Sequence, residues 1–220
     1  MNNQMSDIVV FGARTGTGLE LVKIARNAER NVTAVIRPGR NPDELRALGA
    51  SVVYADALNP DEVENAVGAV APNWIAVSTL GGHDHVDHKG NTTVVDVALK
   101  KVARHMLLVS SLGCGNSREF ASQRLLDAIG PTLEEKTKAE DYLCASTLSY
   151  TIVRPGGLTS TAPTGRGALY ESPAVHGRIS RVDLAELLWR SLGNPWCQGK
   201  ILSAIDKDLL QAPVGTEAFL

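Results

Sequence analysis

Gly12-Ala13-Arg14-Thr15-Gly16-Thr17-Gly18 is the stretch on which the fold of this 220-residue chain turns. Directly before it, Ile8–Phe11 is apolar at every position, as a strand buried on both faces must be. After it, Leu21, Ile24, Ala25 and Ala28 recur at helical spacing. A strand, a glycine loop and a helix in that order suit a dinucleotide's pyrophosphate. Glycines allow the tight turn, the close approach of backbone to phosphate and the close packing of helix on sheet. The free N–H groups of the helix start then face the anion. Gly12, Arg14, Thr15, Gly16, Thr17 and Gly18 are accordingly the first cofactor-binding candidates.

Outward from this loop, short β-branched runs alternate with helical segments along the whole chain. The strand candidates are Ile8–Phe11, Val32–Ile36, Ser51–Ala55, Trp74–Thr79, Met106–Ser110, Tyr150–Val153 and Lys200–Ile205. Pro42 and Pro60, each behind an Asn, read as first-turn prolines of helices. Apolar strands separated by helices predict an α/β fold, a doubly wound parallel sheet of the Rossmann type. Right-handed crossovers give the strand order 3-2-1-4-5-6-7. No linker or repeat divides the chain, so residues 1–220 read as a single NAD(P)-binding domain. One long irregular stretch, Thr159–Gly177, is rich in Gly, Pro, Ser and Thr and reads as a substrate lid at about 159–177.

A net charge of −2 and 21% charged residues offer no footprint for nucleic acid or an anionic membrane surface. The polar start and the lack of roughly 18 consecutive apolar residues argue against a signal peptide and a membrane helix. Cys114, Cys144 and Cys197 are odd in number and far apart, which fits free thiols and a cytoplasmic setting.

The second strand selects the form of the cofactor. NAD-specific sites carry an acid there for the ribose hydroxyls. Here the sequence runs Ile36-Arg37-Pro38-Gly39-Arg40. Guanidinium groups at this station suit a 2′-phosphate, so Arg37 with Arg14 and Arg40 predicts NADP(H). The plainer reading is solvated surface arginines.

With these residues in view, the chain resembles the atypical, small-domain branch of the short-chain dehydrogenase/reductases. Further motifs carry the likeness: Val86-Asp87-x-x-Gly90-Asn91, Val109-Ser110-Ser111, and Tyr150-Thr151-Ile152-Val153-Arg154-Pro155-Gly156-Gly157-Leu158. They spread over roughly residues 7–205. Within the branch, the biliverdin-IXβ reductase/flavin reductase family is similar in size, in its arginine after strand two and in a loop like Ala162-Pro163-Thr164-Gly165. NmrA-like NAD(P)-binding proteins look nearly as similar. The resemblance implies that Asp56, with Ala57, contacts adenine. It places Ser78, Thr79, Leu80 and Gly81, then Ser110, then Pro155, Gly156, Gly157 and Leu158, around the rest of the cofactor.

The resemblance also implies a catalytic station that this chain fills unusually. Many relatives use a Tyr-x-x-x-Lys pair; here Lys136 stands at the Lys position, where it would also hold the cofactor ribose, and Thr132 stands in place of Tyr. A threonine hydroxyl is a very poor acid near neutrality, which puts ordinary carbonyl chemistry in doubt. Ser111 occupies the place of a substrate-facing serine, although a strand-end serine also commonly bonds local backbone. Cys114 and Tyr170 are further residues that could reach a substrate. Tyr142, Trp74 and Trp196 read as packing residues.

His83-Asp84-His85-Val86-Asp87-His88 also matches the His-x-His-x-Asp-His pattern of metallo-β-lactamase zinc sites. Its place beside a nucleotide loop, with only His105 and His176 elsewhere, favours a polar helix-capping loop and no metal. The sequence reading is therefore an NADPH-dependent reductase passing hydride to a conjugated small molecule such as a flavin, quinone or linear tetrapyrrole. A non-catalytic NADP(H)-binding redox sensor or assembly partner, and a cofactor-dependent isomerase or epimerase, remain open. Oligomeric state is not legible.

Overall fold

Every side chain of β1, Ile8–Phe11, is buried. The strand's period of two sends Ile8 and Val10 into one apolar layer and Val9 and Phe11 into another. The computed structural model describes residues 7–82 and 85–220. On one face of the sheet, Leu21, Val22 and Ala25 of α1 (Gly16–Asn27) meet Leu184, Leu187 and Leu188 of α6 (Arg181–Ser191). On the other lie Val63 of α3 (Pro60–Ala66), Val94 and Val95 of α4 (Asn91–Lys100) and Leu143 of α5 (Gln123–Ala145). The short α2, Asp43–Ala47, adds Leu45 to the first layer.

The remaining main-sheet strands are β2 Val32–Ile36, β3 Ser51–Tyr54, β4 Ile75–Ser78, β5 His105–Val109, β6 Tyr150–Pro155, β8 Gly167–Tyr170 and β10 Lys200–Asp206. Among the described residues the order is β3-β2-β1-β4-β5-β6-β10-β8. All neighbours are parallel except β10 and β8. With Lys200–Asp206 as the seventh strand, this is the expected 3-2-1-4-5-6-7 order with one antiparallel strand added at the edge.

That added strand corrects the reading of 159–177 as one irregular lid. Ala168, Leu169 and Tyr170 are buried, and β8 pairs with β10 from Ser203↔Tyr170 to Asp206↔Gly167. The stretch also opens on β7, Gly157–Thr159, which pairs in parallel with β9, Arg178–Ser180. What is left over the cleft is the short exposed loop 160–166. Tyr170 is in the core beside Leu112, Val175 and Ile205, so its expected reach to substrate is withdrawn.

Local chemistry explains several boundaries. Pro60 starts α3 behind Asn59, whose side chain accepts from the N–H groups of Asp61 and Glu62. Ser122 and Ser180 cap α5 and α6 in the same way. Inside α5, Ile129 is non-helical at φ −138° just before Gly130-Pro131. A proline without an N–H kinks a helix at this point. Trp74 is fully buried and donates to the Lys101 carbonyl at 3.0 Å, as a packing residue should. Trp196 is not one: it is 77% exposed on a single turn after α6. Tyr142 is exposed too, and its hydroxyl donates to Asp96 of α4 at 2.6 Å.

Candidate active site

The chain leaves β1 and β4 in opposite directions across the sheet, which opens a crevice at their carboxyl ends, the usual ligand position in this architecture. A cavity of about 260 Å³ occupies it. Gly12, Arg14 and Thr15 line it from the first loop, Arg37 and Arg40 from the end of β2. Asp56 and Ala57 follow from the end of β3, and Thr79, Leu80 and Gly81 from the end of β4. The sequence placed all ten of these residues at a cofactor.

The floor of this cavity is a cradle that only glycine permits. Gly12 has φ +80°, and a Cβ there would lie 2.7 Å from Thr79 Oγ1. At Gly18 a Cβ would lie 2.5 Å from the Gly12 carbonyl oxygen. Thr15 takes the N-cap position of α1 in extended conformation, without a side-chain capping bond. The N–H groups of Gly16, Thr17 and Gly18 are therefore left without capping partners at the positive end of the helix dipole. Thr17 Oγ1 is buried without a hydrogen-bond partner. A buried donor and uncapped N–H groups around a glycine cradle fit a pyrophosphate.

The β2 end also fits. No carboxylate from that strand lines the cavity, whereas Arg14, Arg37 and Arg40 all do. Asp56, the acid at the end of β3, is already engaged. Its backbone N–H donates to Glu62 at 2.8 Å, and its Oδ1 accepts from the Leu58 N–H at 3.0 Å.

Ser78 and Ser110 are buried behind the lining. Ser78 donates to Asn91 Oδ1 at 2.5 Å, while Ser110 Oγ has no partner. The loop after β5 is stitched to the next strand. Ser110 N–H donates to the Val153 carbonyl at 2.8 Å, and Leu112 N–H to the Pro155 carbonyl at 3.0 Å. Ser111 is half-buried and its hydroxyl donates to the Leu112 carbonyl at 2.9 Å, the local bond that its position allowed. Cys114 is fully buried against Leu133; burial and the nearby Glu140 push its thiol pKa up, which disfavours the reactive thiolate. Gly156 lies under Gly177 and Ile205, Gly157 under Arg178, and Leu158 is exposed beside them.

Lys136 and Thr132 both lie on α5, four residues apart and so on one face. Lys136 approaches the cleft behind Gly81. Its Nζ is 2.7 Å from Asp87 Oδ1, and a Cβ at Gly81 would lie 3.0 Å from that Nζ. Asp87 was read as part of a helix start; in fact it is buried in a π-helical turn, Val86–Gly90.

Two more groups escaped the sequence reading. Arg154 is buried and bonds Glu140 through both Nε and NH2, at 3.0 and 2.6 Å, with NH1 on Asn116 at 2.5 Å. It ties β6 to α5 and to the loop after β5. Arg181 packs on Gly16 and donates to Ser160 at 3.0 Å. Of the histidine run, His83 and Asp84 lie outside the described residues. His85 begins the π turn at φ +60°, and His88 faces Glu135 at 3.7 Å.

The family model whose description is NAD(P)H-binding matches residues 12–195. The chain belongs to the NAD(P)H-binding family. Its atypical short-chain dehydrogenase/reductase character agrees with the motifs quoted above. A solved structure described as ChuY, an anaerobillin reductase from Escherichia coli O157:H7, is 36% identical with a TM-score of 0.87. That match covers 94% of this chain and 100% of the other. YhfK of Bacillus subtilis, described as an uncharacterized sugar epimerase, is 28% identical over 84% of this chain and 87% of its own length. Sanguinarine reductase of Eschscholzia californica is 34% identical over 50% of this chain and 41% of that protein. Reductases thus stand among the relatives of this NAD(P)H-binding protein. No helix among its described residues is long and apolar enough to cross a membrane.

Proposed function

We propose that the protein is an NADPH-dependent reductase of a conjugated, electron-poor acceptor, with a linear tetrapyrrole favoured over a flavin or quinone. The observation that carries the cofactor half is the trio Arg14, Arg37 and Arg40 in the cavity that the glycine cradle floors. Arginine forks suit a 2′-phosphate, and the uncapped start of α1 suits the pyrophosphate. The acceptor half is supported by the likeness to an anaerobillin reductase over nearly the whole chain.

When bound, the dinucleotide supplies the hydride. Gly12, Thr17 and Gly18 would hold its phosphates, and Lys136 would offer its ammonium to the ribose. Pro155, Gly156, Gly157 and Leu158 would border the nicotinamide and the acceptor, with Ser111 at the rim, where its hydroxyl oxygen is left as an acceptor because its proton is on the Leu112 carbonyl. Thr132 provides no acid. A conjugated acceptor spreads the incoming charge and takes its proton from water, whereas an isolated carbonyl needs a positioned acid worth about 10²–10⁴-fold.

The test is NADPH oxidation against bilins, flavins, quinones and simple aldehydes and ketones. Turnover is expected with conjugated acceptors and absent with isolated carbonyls. Turnover confined to the isolated carbonyls would refute the chemistry, and tight cofactor binding with no turnover at all would make the protein a binding module.

A further inference from the structure

The Asp87–Lys136 pair, 2.7 Å apart, is an ionic contact directly behind Gly81, a residue that lines the cavity. Both side chains are largely buried, at 7% and 15% exposure. Burying an ammonium and a carboxylate together is worthwhile only when the geometry fixes both. Here the fixing is elaborate. The π turn inserts one extra residue into the backbone ladder ahead of α4, a distortion that recurs at functional sites. Asn91 closes it: its side-chain NH₂ donates to the Asp87 carbonyl at 2.9 Å, and its Oδ1 accepts from Ser78 at the end of β4.

Asp87 thereby faces back toward the sheet. Its Oδ2 accepts the Gly82 N–H at 2.9 Å, and its Oδ1 meets Lys136. One carboxylate therefore holds both the backbone just beyond β4 and the ammonium on α5. Gly81 lies between them. A Cβ there would sit 2.7 Å from Asp87 Oδ1 and 3.0 Å from Lys136 Nζ, so glycine lets the pair close against the cavity wall.

We infer that Asp87 is a positioning residue of the dinucleotide site: it pins the Lys136 ammonium against Gly81 and leaves its other N–H groups for the ribose hydroxyls. An ammonium has three rotatable donors on a flexible stem and selects no direction by itself. The carboxylate supplies that direction, and with Tyr replaced by Thr132 no phenol shares the task. The inference rests on the reading of the cavity as a dinucleotide site.

Calorimetric titration of the full chain with NADPH tests it, using Asp87→Asn, Lys136→Met and the double variant. Asparagine keeps an acceptor for Gly82 and turns its NH₂ toward Lys136, so the change removes both the charge and the acceptor that hold the ammonium while leaving the backbone contact. Each single variant should weaken binding by about five- to tenfold, and the double should bind no more weakly than Lys136→Met alone. That non-additivity is a result a merely structural carboxylate would not give. Wild-type affinity in Asp87→Asn, or a double variant weakened by the product of the singles, overturns the inference. Should Asp87→Asn fail to fold, Gly81→Ala takes its place: its methyl parts the pair and should bring a similar loss, and unchanged affinity there overturns the inference. If the unmutated chain binds no NADPH, the reading of the cavity falls first and this inference with it.

Discussion

At Gly156 a Cβ would lie 2.4 Å from the Gly177 carbonyl oxygen and 2.5 Å from Ile205 Cδ1. The carbonyl belongs to backbone that leads straight into β9 and cannot yield. Gly156→Val should therefore lower the melting temperature and remove turnover together, by prying the β7–β9 pair from β10. Gly157 is different: its nearest obstacle is Arg178 Cγ at 3.3 Å, on a flexible side chain. Gly157→Ala should leave the melting temperature nearly unchanged while altering turnover, because it faces the proposed nicotinamide wall. Thermal melts and steady-state rates on both variants check the contrast; equal melting losses would refute it. The glycines of the first loop were legible because close backbone approach demands that residue type, and the arginines were legible as residues of the same cavity, their partner being a proposal. Asp87, Arg154 and Arg181 were not, since their meaning lies in partners 49, 14 and 21 positions away. Trp196 misled for the opposite reason: its size argues for burial, yet the turn carrying it packs only through Cys197.

Among elements, α6 has the most consequential start. Ser180 caps it, and Asp183 in its first turn accepts from Ser180, from the backbone N–H groups of Thr164 and Gly165 and from the Thr164 hydroxyl. Burial alone would raise the Asp183 pKa, but these donors outweigh it and hold it below the usual value. A depressed carboxylate contributes stability that is present above its unfolded pKa of 3.8 and lost as pH falls through the folded value. His105, buried at the start of β5 and lowered by that burial and by Arg104 to about 4, acts earlier. Its neutral form is favoured by folding, so it withdraws stability as pH falls from 6.5 toward 4. Stability should thus fall as pH drops below 6.5 through His105 and fall further below 3.8 through Asp183, and Asp183→Asn should flatten the lower part of that dependence. At neutral pH that variant should cost about 1–3 kcal/mol and expose loop 160–166 to protease. A melting curve unchanged at pH 7 would count against this role of Asp183. Strands with several apolar β-branched residues were legible as elements. β8 was not, because Gly167-Ala168-Leu169-Tyr170 is short and set among Gly, Pro and Ser. Its strand character comes from pairing with β10, which is a tertiary effect.

For the molecule as a whole, the parallel order and the two apolar layers follow from the handedness of the crossovers and the period of each strand. The crevice at the β1–β4 divergence then brings together loops distant in sequence, and membership of the NAD(P)H-binding family agrees with what lines it. The proposed acceptor was less legible, because it would meet the exposed ends of several loops, where one chain's residues carry no fixed pattern. The central claim is that arginines at the end of β2 and in the first loop select a 2′-phosphate. Its most direct test is calorimetric titration of the unmutated chain and of Arg37→Ala with NADPH and with NADH. NADPH should bind the unmutated chain more than about tenfold more tightly than NADH, and Arg37→Ala should lose most of that preference while NADH affinity stays nearly unchanged. Superimposable titration curves for the two cofactors on the unmutated protein would contradict the account.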